Sequence, residues 1–338
     1  MAETPCWNDL AGRMALFEKR AAFLHLVRSF FRRRGFLEVD APLLVRAAGM
    51  EPHLDAFAVR GLATGREAFL PTSPEFYLKK LLAGGARRCF SLSPSFRDEQ
   101  SSRGHSPEFL MIEWYRSGET HERLLRDCAA LLAEAGRRFL AHGLLRRGGI
   151  VCDFTAGLEV LTLSTAFRRF AGWDWLELDG EEDWRRAARA HGAEATASWS
   201  PTDCFSYLMV SLVEPRLAGF GRPVALVGYP AFQAALARLD PGDDRISERF
   251  ELYAAGTELA NAYTELTDAA VQRSRYEAYQ AERAAQGKPP HPADEEFMDA
   301  VGHLPPCAGI ALGADRLLAL LLDEAVPRVR HGCADQDV

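Results

Sequence analysis

The sequence predicts an α/β (α+β) fold with a mixed, mostly antiparallel sheet that is flanked by helices. Apolar residues recur at helical spacing in residues 14–34 and 121–142, which predicts two long amphipathic helices. In residues 96–115, strand-period alternation on both sides of the turn-rich stretch "QSSRGHSP" predicts a strand–loop–strand unit. The pair Ala255-Gly256 in the centre of "RFELYAAGTELANAY" predicts a two-residue hairpin turn between antiparallel strands.

Capping and breaker residues predict the elements of the N-terminal half. The first helix should end at Gly35, and "FLEVDAPLL" then predicts a strand that ends at Pro42. A serine cap, an early proline and closing glycines predict a short helix in "SPEFYLKKLLAGG". The arginines between the apolar positions of the first helix favour a solvated face, with a nucleic-acid-binding face as the alternative.

The second half of the chain carries a helix-rich segment and a second β region. Residues 150–220 are interpreted as a helical insertion, because no linker flanks them. The β region runs from "RPVALVGYP" to "ELTD", and "GIALGADRLLALLL" predicts a closing strand and helix. We therefore expect one domain over residues 1–338, with its core at 15–322 and with no repeat or low-complexity segment.

Composition and charge limit the classes of function. Of the 338 residues, 48% are apolar and 26% are charged, as in ordinary globular proteins. The formal net charge of −7 argues against broad binding to a phosphate backbone, while a local basic patch stays compatible with it.

Cysteine usage and the lack of targeting signals predict a soluble cytoplasmic protein. The cysteines form no CxxC pair and the histidines do not fall at zinc spacings, so reduced structural thiols are expected. The seven cysteines lie at positions 6, 89, 128, 152, 204, 307 and 333. The start "MAETPCWNDL" lacks a signal-peptide pattern, and the apolar tract near the end is too short to span a bilayer.

The strand–loop–strand unit is predicted to present charged and aromatic side chains to one cleft. Strand alternation groups them into two sets, namely Ser95, Arg97 and Glu99 on the first strand, and Phe109, Met111, Glu113 and Tyr115 on the second. The alternative is an edge hairpin whose charges are solvated.

The predicted hairpin places two acids close together. Its register pairs Tyr253 with Glu258 and Glu251 with Ala260, so that Glu251 and Glu258 share a face. Neighbouring carboxylates repel unless a proton or a cation joins them, and Mg²⁺ that bridges to phosphate suits such a pair. The alternative is an exposed acidic hairpin.

The closing strand and helix carry an arginine in an unusual position. Gly309 and Gly313 bracket the strand, and Asp315 is predicted to cap the helix. Arg316 then lies in the first turn, where the helix dipole disfavours a cation. We expect it to reach an anion or to stack on an aromatic base, with a salt bridge to Asp315 or Glu324 as the alternative.

Together these segments predict a nucleotide site. The phosphate-binding cations would be Arg97, Arg103, His105 and Arg316, and Phe109 offers a ring to a base. The chain has no Walker loop and no GxGxxG after a strand, which favours a nucleotide held on an antiparallel sheet.

Five motifs carry a family resemblance. "RGFLEVDAPLL", "FRDE…HSPEFLMIEW" and "GIALGADRLLALL" resemble the three signature motifs of class II aminoacyl-tRNA synthetases, in order. "SPEFYLKKLL" and "ELANAYTELTD" resemble the lysyl-tRNA synthetase branch. The similarity covers residues 15–322 and implies a class II catalytic domain that forms a homodimer through residues 15–45.

The pattern lacks the anticodon-binding OB-fold domain of that branch, because the first motif begins near residue 20. It resembles the stand-alone paralogues that activate (R)-β-lysine and transfer it to a lysine side chain of elongation factor P. This resemblance implies an ATP-dependent, AMP-forming ligase with elongation factor P as partner, and neither tRNA nor membrane binding. The alternatives are a ligase that charges tRNA or a small amine, and a catalytically silent nucleotide-binding regulator.

The resemblance also implies the site residues. The ATP site would comprise Arg97, Asp98, Glu99, Arg103, His105, Ser106, Phe109, Glu258, Leu259, Gly313 and Arg316. Of these, Arg97, Arg316 and Glu258 would be catalytic, and Glu251 with Glu258 would hold Mg²⁺. The amino-acid pocket would comprise Ser73, Pro74, Glu75, Glu113, Tyr115, Asn261, Glu265 and Ala311.

Three positions qualify this assignment. Simple alternation puts Asn261 and Glu265 on the face opposite Glu258, so a bulge is expected at residues 259–261 if both sets line one pocket. Ala262 stands where the family usually has glycine. Ala311 stands where the lysyl branch has glycine, and its methyl should crowd an α-amino group and favour a β-amine. The alternative is that Ala311 only packs in the core.

Overall fold

The structure is a computed structural model, and it describes residues 13–331. The chain divides into two compact units, the first made of Met1–Thr120 and Glu265–Val338 and the second of His121–Thr264. The predicted single domain over residues 1–338 stays a prediction. The start "MAETPCWNDL", with Cys6, and the end of the chain, with Cys333, lie outside the described residues.

The helices are α1 (Met14–Arg33), α2 (Glu75–Ala83), α3 (His121–Phe139), α4 (Leu163–Phe170), α5 (Glu181–Ala190), α6 (Pro201–Leu208), α7 (Glu214–Leu217), α8 (Ala269–Ala285), α9 (Glu295–Val301), α10 (Ala314–Leu322) and α11 (Val326–His331). The strands are β1 (Leu37–Glu38), β2 (Ala58–Val59), β3 (Ala68–Phe69), β4 (Arg88–Phe96), β5 (Glu108–Ser117), β6 (Leu144–Arg147), β7 (Ile150–Asp153), β8 (Glu159–Thr162), β9 (Val224–Pro230), β10 (Ile246–Ala254), β11 (Thr257–Thr264) and β12 (Cys307–Gly313). Mixed strands, most of them antiparallel, with flanking helices confirm the predicted fold class.

In the first unit, four strands follow the order β1-β4-β5-β12. β1 runs parallel to β4, whereas β4 with β5 and β5 with β12 are antiparallel. The register pairs Ser95 with Phe109 and Glu113 with Ala311. Because paired residues point to the same side, Ser95 and the set of Phe109, Met111, Glu113 and Tyr115 lie on one face of this sheet, whereas β4 ends at Phe96, before Arg97 and Glu99.

Helix α1 covers the opposite face of these strands with aromatic side chains. Phe31 stacks on Phe90 at 4.7 Å between ring centroids and lies 5.1 Å from Trp114. The helix ends at Arg33, and Gly35 follows with φ of +73°, a left-handed conformation that glycine adopts without strain. The predicted end of the helix is thus confirmed, while the strand predicted in "FLEVDAPLL" shrinks to the two residues of β1.

In the second unit, four strands follow the order β11-β10-β9-β8, with β8 parallel to β9, and β6 pairs with β7 in a separate two-stranded sheet. A buried aromatic cluster that includes Phe167, Trp184 and Phe205 packs with Leu226 of β9. Residues 150–220 contain the predicted helices, together with strands β7 and β8, which the sequence pattern did not predict. Helix α8 of the first unit was also missed.

The hairpin β10–β11 contains a bulge. Tyr253 pairs with Glu258 as predicted, but Leu252 pairs with Ala260 and Glu251 with Asn261, so the predicted pairing of Glu251 with Ala260 is wrong. Leu259 is the additional residue, which confirms the bulge expected at residues 259–261. The bulge returns Asn261 to the face of Glu251 and Glu258.

The cysteines of the described segment are free thiols, as expected from their spacing in the sequence. Five free cysteines are buried, namely Cys89, Cys128, Cys152, Cys204 and Cys307. None of the described helices combines the length and apolar character needed to cross a membrane.

Asp315 does not cap α10, because Gly313 occupies the cap position. Its carboxylate is buried, accepts a hydrogen bond from the Leu110 amide at 2.7 Å, and pairs with the guanidinium of Arg20. Asp315 therefore connects α10 to β5 and to α1, and the predicted cap is wrong because the carboxylate has stronger donors elsewhere.

Replacing Asp315 should destabilise the first unit. Asp315→Ala leaves the Leu110 amide and the mostly buried Arg20 without their acceptor, and such losses cost about 3–5 kcal/mol. Urea unfolding monitored by tryptophan fluorescence measures the change. Arg273→Ala, which removes an exposed pair with Glu295, is the control and should leave the midpoint unchanged. Equal midpoints for both variants would contradict the connecting role of Asp315.

Candidate active site

The residues of the first unit that are predicted to bind a nucleotide gather at one end of β4, β5 and α10. The guanidinium carbon of Arg97 lies 5.1 Å from the centroid of the Phe109 ring, and its Nε is buried with no hydrogen-bond partner. Arg316 leaves the first turn of α10 and runs along Gly313, where an added Cβ would lie 3.4 Å from its side chain. The structure therefore places a guanidinium over an aromatic ring, and a second one along a glycine, on the predicted side of the sheet.

The loop between β4 and β5 brings three of the predicted residues into one chain of contacts. Nη2 of Arg316 lies 3.3 Å from Nε2 of His105, and Nδ1 of His105 lies 3.2 Å from Oε1 of Glu99. Arg103 is exposed and pairs with Asp323 at 3.3 Å. Surface pairs of this kind hold weakly, so an incoming phosphate can displace them.

The other two loop residues differ in their environment. Ser106 is 4% exposed, whereas Asp98 is exposed and donates its backbone amide to the carbonyl of Asp55 at 2.9 Å. Ser106 is thus fixed by packing, and Asp98 is held by its backbone.

A buried cluster of acids occupies the same sheet face further along. Glu75 of α2, Glu113 of β5 and Glu265 are between 1% and 9% exposed. Lys79, one turn after Glu75, lies between two of them, with Nζ 2.6 Å from Glu75 Oε1 and 2.6 Å from Glu265 Oε2. Tyr115 donates to Oε1 of Glu113 at 2.6 Å. The structure therefore brings together four predicted pocket residues and one that was missed.

Lys79 could have been found from its spacing. A lysine four residues after a glutamate on one helix pairs with it, so the predicted pocket residue Glu75 indicates Lys79 as its partner. Its burial could not be foreseen, because it depends on Glu265, which is distant in the sequence.

Burial governs the ionisation of this cluster. It raises the pKa of Glu113 well above the usual range and that of Glu265 to about 7, and it also raises the pKa of Glu75. Burial alone would lower the pKa of Lys79, but the charges of Glu265 and Glu75 outweigh it and raise that pKa. Lys79 is therefore a permanent cation among acids that retain protons readily.

Ser73, Pro74 and Glu75 line a cavity of about 540 Å³ in the first unit. Gly49, Glu51 and Lys80 also line it. Its walls place three of the predicted pocket residues next to a space large enough for a small ligand.

Ala311 and Gly309 lie on the acid-bearing face of β12. Ala311 pairs with Glu113 and is half-buried, whereas its neighbours in sequence are buried. The methyl of Ala311 therefore points to the face on which it is predicted to crowd an α-amino group. The alternative, that Ala311 only packs in the core, is disfavoured because the residue is half-buried. At Gly309, an added Cβ would lie 2.1 Å from Cε1 of Tyr115 and 2.4 Å from Oε1 of Glu265.

In the second unit, Glu251 is held by three donors. Tyr229 and Tyr253 donate to its Oε2 at 2.7 and 2.6 Å, and Arg249 donates to its Oε1 at 2.6 Å. Glu258 shares this face of the hairpin and is exposed. The acidic pair predicted for a metal therefore exists, with one member fixed and the other facing solvent.

This pair fits Mg²⁺ only with help from other oxygens. No group of three or more His, Cys, Asp or Glu side chains suited to a metal occurs among residues 13–331. Mg²⁺ commonly takes one or two carboxylates and completes its shell with phosphate and water. Glu251 and Glu258 supply such a partial set.

Asn261 and Ala262 lie on opposite faces of β11. Oδ1 of Asn261 accepts from Nε of Arg249 at 3.1 Å, which joins it to the Glu251 group. Ala262 is fully buried opposite Phe250, so its methyl points away from that face. Leu259, the bulged residue, is also buried.

The family comparison agrees with the motifs and the fold. Residues 11–330 match the model of the tRNA synthetases class II (D, K and N). The chain belongs to this family. The resemblance of its five motifs is thereby confirmed.

Three relatives are similar over nearly their whole length, and each is named elongation factor P--(R)-beta-lysine ligase. The protein of Edwardsiella ictaluri is 38% identical over 328 residues, which are 95% of each chain. That of Pectobacterium carotovorum subsp. carotovorum is 38% identical over 330 residues, 96% of this chain and 95% of the relative. That of Salmonella paratyphi B is 37% identical over 328 residues, again 95% of each chain.

Gly309 should tolerate no side chain. Gly309→Ala places a methyl within 2.4 Å of both Tyr115 and Glu265, and overpacking of this kind costs about 1–3 kcal/mol. The melting temperature should fall, and the amino-acid pocket should lose its shape. Gly219→Ala is the control, because an added Cβ there meets nothing within 4 Å. An unchanged melting temperature for Gly309→Ala would contradict the close packing of this site.

Proposed function

We propose that this chain activates a lysine-type amino acid, (R)-β-lysine, with ATP and transfers it to a lysine side chain of elongation factor P. One observation carries the proposal: buried carboxylates suited to amines share a sheet face with Phe109, and the guanidinium of Arg97, which suits a phosphate, lies over the Phe109 ring. The three relatives, whose printed name states this activity, support it. The chain would be a soluble, cytoplasmic homodimer.

In the first step, the substrate carboxylate attacks the α-phosphorus of ATP, an aminoacyl-adenylate forms and pyrophosphate leaves. Arg97 stabilises the charge that develops on the α-phosphate, and Arg103, His105 and Ser106 bind the outer phosphates. The adenine lies between Phe109 and Arg316. The buried, unpaired Nε of Arg97 supports its role, because this donor has no partner until an anion arrives.

Other predicted residues make the remaining nucleotide contacts. Glu99 binds the edge of the adenine, Asp98 lies beside it, and Gly313 and Leu259 line the nucleotide. Glu251 and Glu258 would hold Mg²⁺, which would supply positive charge to the phosphates. The hydrogen bonds from Tyr229, Tyr253 and Arg249 orient Glu251 for that role.

The amino acid is held by residues that suit two amines. Glu75, Glu113 and Glu265 accept from its ammonium groups, and the other pocket residues are Ser73, Pro74, Tyr115, Asn261 and Ala311. In the second step, an amine of the acceptor attacks the adenylate carbonyl, loses a proton and releases AMP. The protein needs no nucleophile of its own.

The proposal predicts amino-acid-dependent exchange of pyrophosphate into ATP. Arg97→Ala should lower the rate by about 2–4 kcal/mol of transition-state stabilisation, as expected when a charge-stabilising donor is lost. Radiolabelled pyrophosphate exchange measures the rate. Arg273→Ala, an exposed arginine of the same unit, is the control. Full activity in Arg97→Ala would refute the role of this residue.

The acceptor is tested in the same preparation. Incubation with ATP, (R)-β-lysine and elongation factor P should add one amino-acid mass to the factor, as seen by intact mass spectrometry. Efficient charging of lysine tRNA instead, with kcat/KM on the order of 10⁴ M⁻¹s⁻¹ or above, would favour the tRNA-charging alternative. No exchange with any amino acid would favour the silent regulator.

Ala311 should set the preference between α- and β-amines. It shares the face of Glu113, and removing its methyl in Ala311→Gly should admit α-lysine. One methyl is worth about 1–3 kcal/mol, so the ratio of exchange rates for α-lysine and (R)-β-lysine should shift by roughly 10-fold or more. Gly219→Ala, remote in sequence and sterically free, controls for handling. An unchanged ratio would remove Ala311 as the selector.

A further inference from the structure

Lys79 is the most deeply buried cation of the acid cluster, and the proposed reaction assigns it no step. Its side chain is 2% exposed and lies between Glu75 and Glu265, whose side chains are 11% and 1% exposed. Both contacts are 2.6 Å long. Breaking a buried pair leaves an uncompensated charge, so the three side chains hold one another in place.

Three carboxylate oxygens of the cluster, Oε2 of Glu113 and both oxygens of Glu265, are buried without a hydrogen-bond partner. Oε2 of Glu265 lies 2.6 Å from Nζ of Lys79, so two oxygens, Oε2 of Glu113 and Oε1 of Glu265, have neither a hydrogen-bond donor nor a cation beside them. Buried acceptors without donors are costly, and an unpaired one in a native protein indicates a ligand or a proton. The number of free oxygens equals the number of ammonium groups in a diamine.

The net charge of the cluster also corresponds to two ammonium groups. Glu75, Glu113 and Glu265 contribute three negative charges when they are ionised, and Lys79 contributes one positive charge. The difference, three minus one, is a net charge of −2. Without Lys79 the pocket would carry −3, which two ammonium groups could not neutralise.

We propose that Lys79 is a positioning residue, an internal counter-ion that fixes the charge of the pocket at −2 and thereby selects a substrate with two ammonium groups, whose entry displaces the protons of the empty pocket. This inference rests on the proposed function for the identity of the substrate. The role of Lys79 as a counter-ion rests on the geometry alone.

The count of −2 covers the four buried side chains, and Glu51 lies outside it because Glu51 is only half-buried. Burial raises the pKa of Glu75, and the charge of Lys79 lowers it by less. Glu51 adds a negative charge near Glu75, and this third, smaller influence raises the pKa of Glu75 further. Tyr115, Cys89 and Cys307 stay neutral, because burial raises the pKa of each.

The proton count follows from the directions of the shifts. With the pKa of Glu265 at about 7 and that of Glu113 well above its usual range, the empty pocket is partly protonated near neutral pH. A diammonium ligand binds the ionised form, so its affinity should rise with pH until its own amines deprotonate near about 10. About one to two protons should leave per ligand at pH 7.

The first test uses no substrate. The carboxyl pKa values are higher in the folded state than in the unfolded state, where they are about 4.3. The folded state therefore loses stability as the pH rises from about 4.3 through the pKa of the folded state. Lys79→Met raises the values further, so the gap in melting temperature between wild type and variant should widen from pH 5.5 to pH 8.5. Lys288→Met is the control, because Lys288 is partly exposed, pairs with Asp55 and lies outside the cluster. A difference in melting temperature that does not change with pH would overturn the role of Lys79 as a counter-ion.

The second test measures ligand binding by calorimetry in two buffers of different ionisation enthalpy. The probes are (R)-β-lysine, α-lysine and 6-aminohexanoate, which has a single ammonium group. The wild type should release about one to two protons with the diamines, and it should bind 6-aminohexanoate at least about 10-fold more weakly. In Lys79→Met, the pH dependence of ligand affinity should shift to higher pH by about one unit or more.

The outcomes separate this inference from the proposed function. Binding of (R)-β-lysine without proton release, or equal affinity for 6-aminohexanoate, overturns the charge count and leaves the proposed function standing. No binding by the wild type overturns the proposed function and the selection of a diamine together, while the melting series still decides on Lys79. If Lys79→Met does not fold, the proton count of the wild type decides.

Discussion

The antiparallel register of β4, β5 and β12 is the constraint on which the first unit depends. It pairs Ser95 with Phe109 and Glu113 with Ala311, and so it places aromatic, acidic and small residues on one surface. A slip of one residue would turn every side chain to the other face. The aromatic packing of Phe31 on Phe90 from the opposite side fixes the register, because the two faces have incompatible polarity.

The surface produced by this register is divided by charge. Toward the β4–β5 loop it presents guanidinium and imidazole groups, and toward α2 it presents carboxylates with one internal ammonium. A molecule with phosphate at one end and amines at the other matches this division, and an aminoacyl-adenylate is such a molecule. The separation also keeps the arginines from neutralising the acids before a ligand arrives.

Local patterns predicted much of the architecture and many of the proposed site residues, because alternation and turn chemistry act over a few residues. The strand–loop–strand unit, the hairpin turn and the helix after residue 74 all follow from such patterns. Asp315 was assigned wrongly because its donors, Leu110 and Arg20, are far away in the sequence. Lys79 escaped notice for the same reason, since its burial depends on Glu265. The bulge was inferred only because a resemblance demanded that Asn261 share a face with Glu258.

That bulge is a single additional residue on one strand of the hairpin. Leu259 has no partner on β10, whereas Glu258 pairs with Tyr253, Ala260 with Leu252 and Asn261 with Glu251. A chain that lacked Leu259 would keep these three pairs and would lose only the bulge. Loss of a second residue between the turn and Asn261 would turn the side chains beyond it to the other face, and would bury polar groups while exposing Ala262. Length variation in this hairpin among related chains should therefore be confined to the bulge, however freely its individual residues are exchanged.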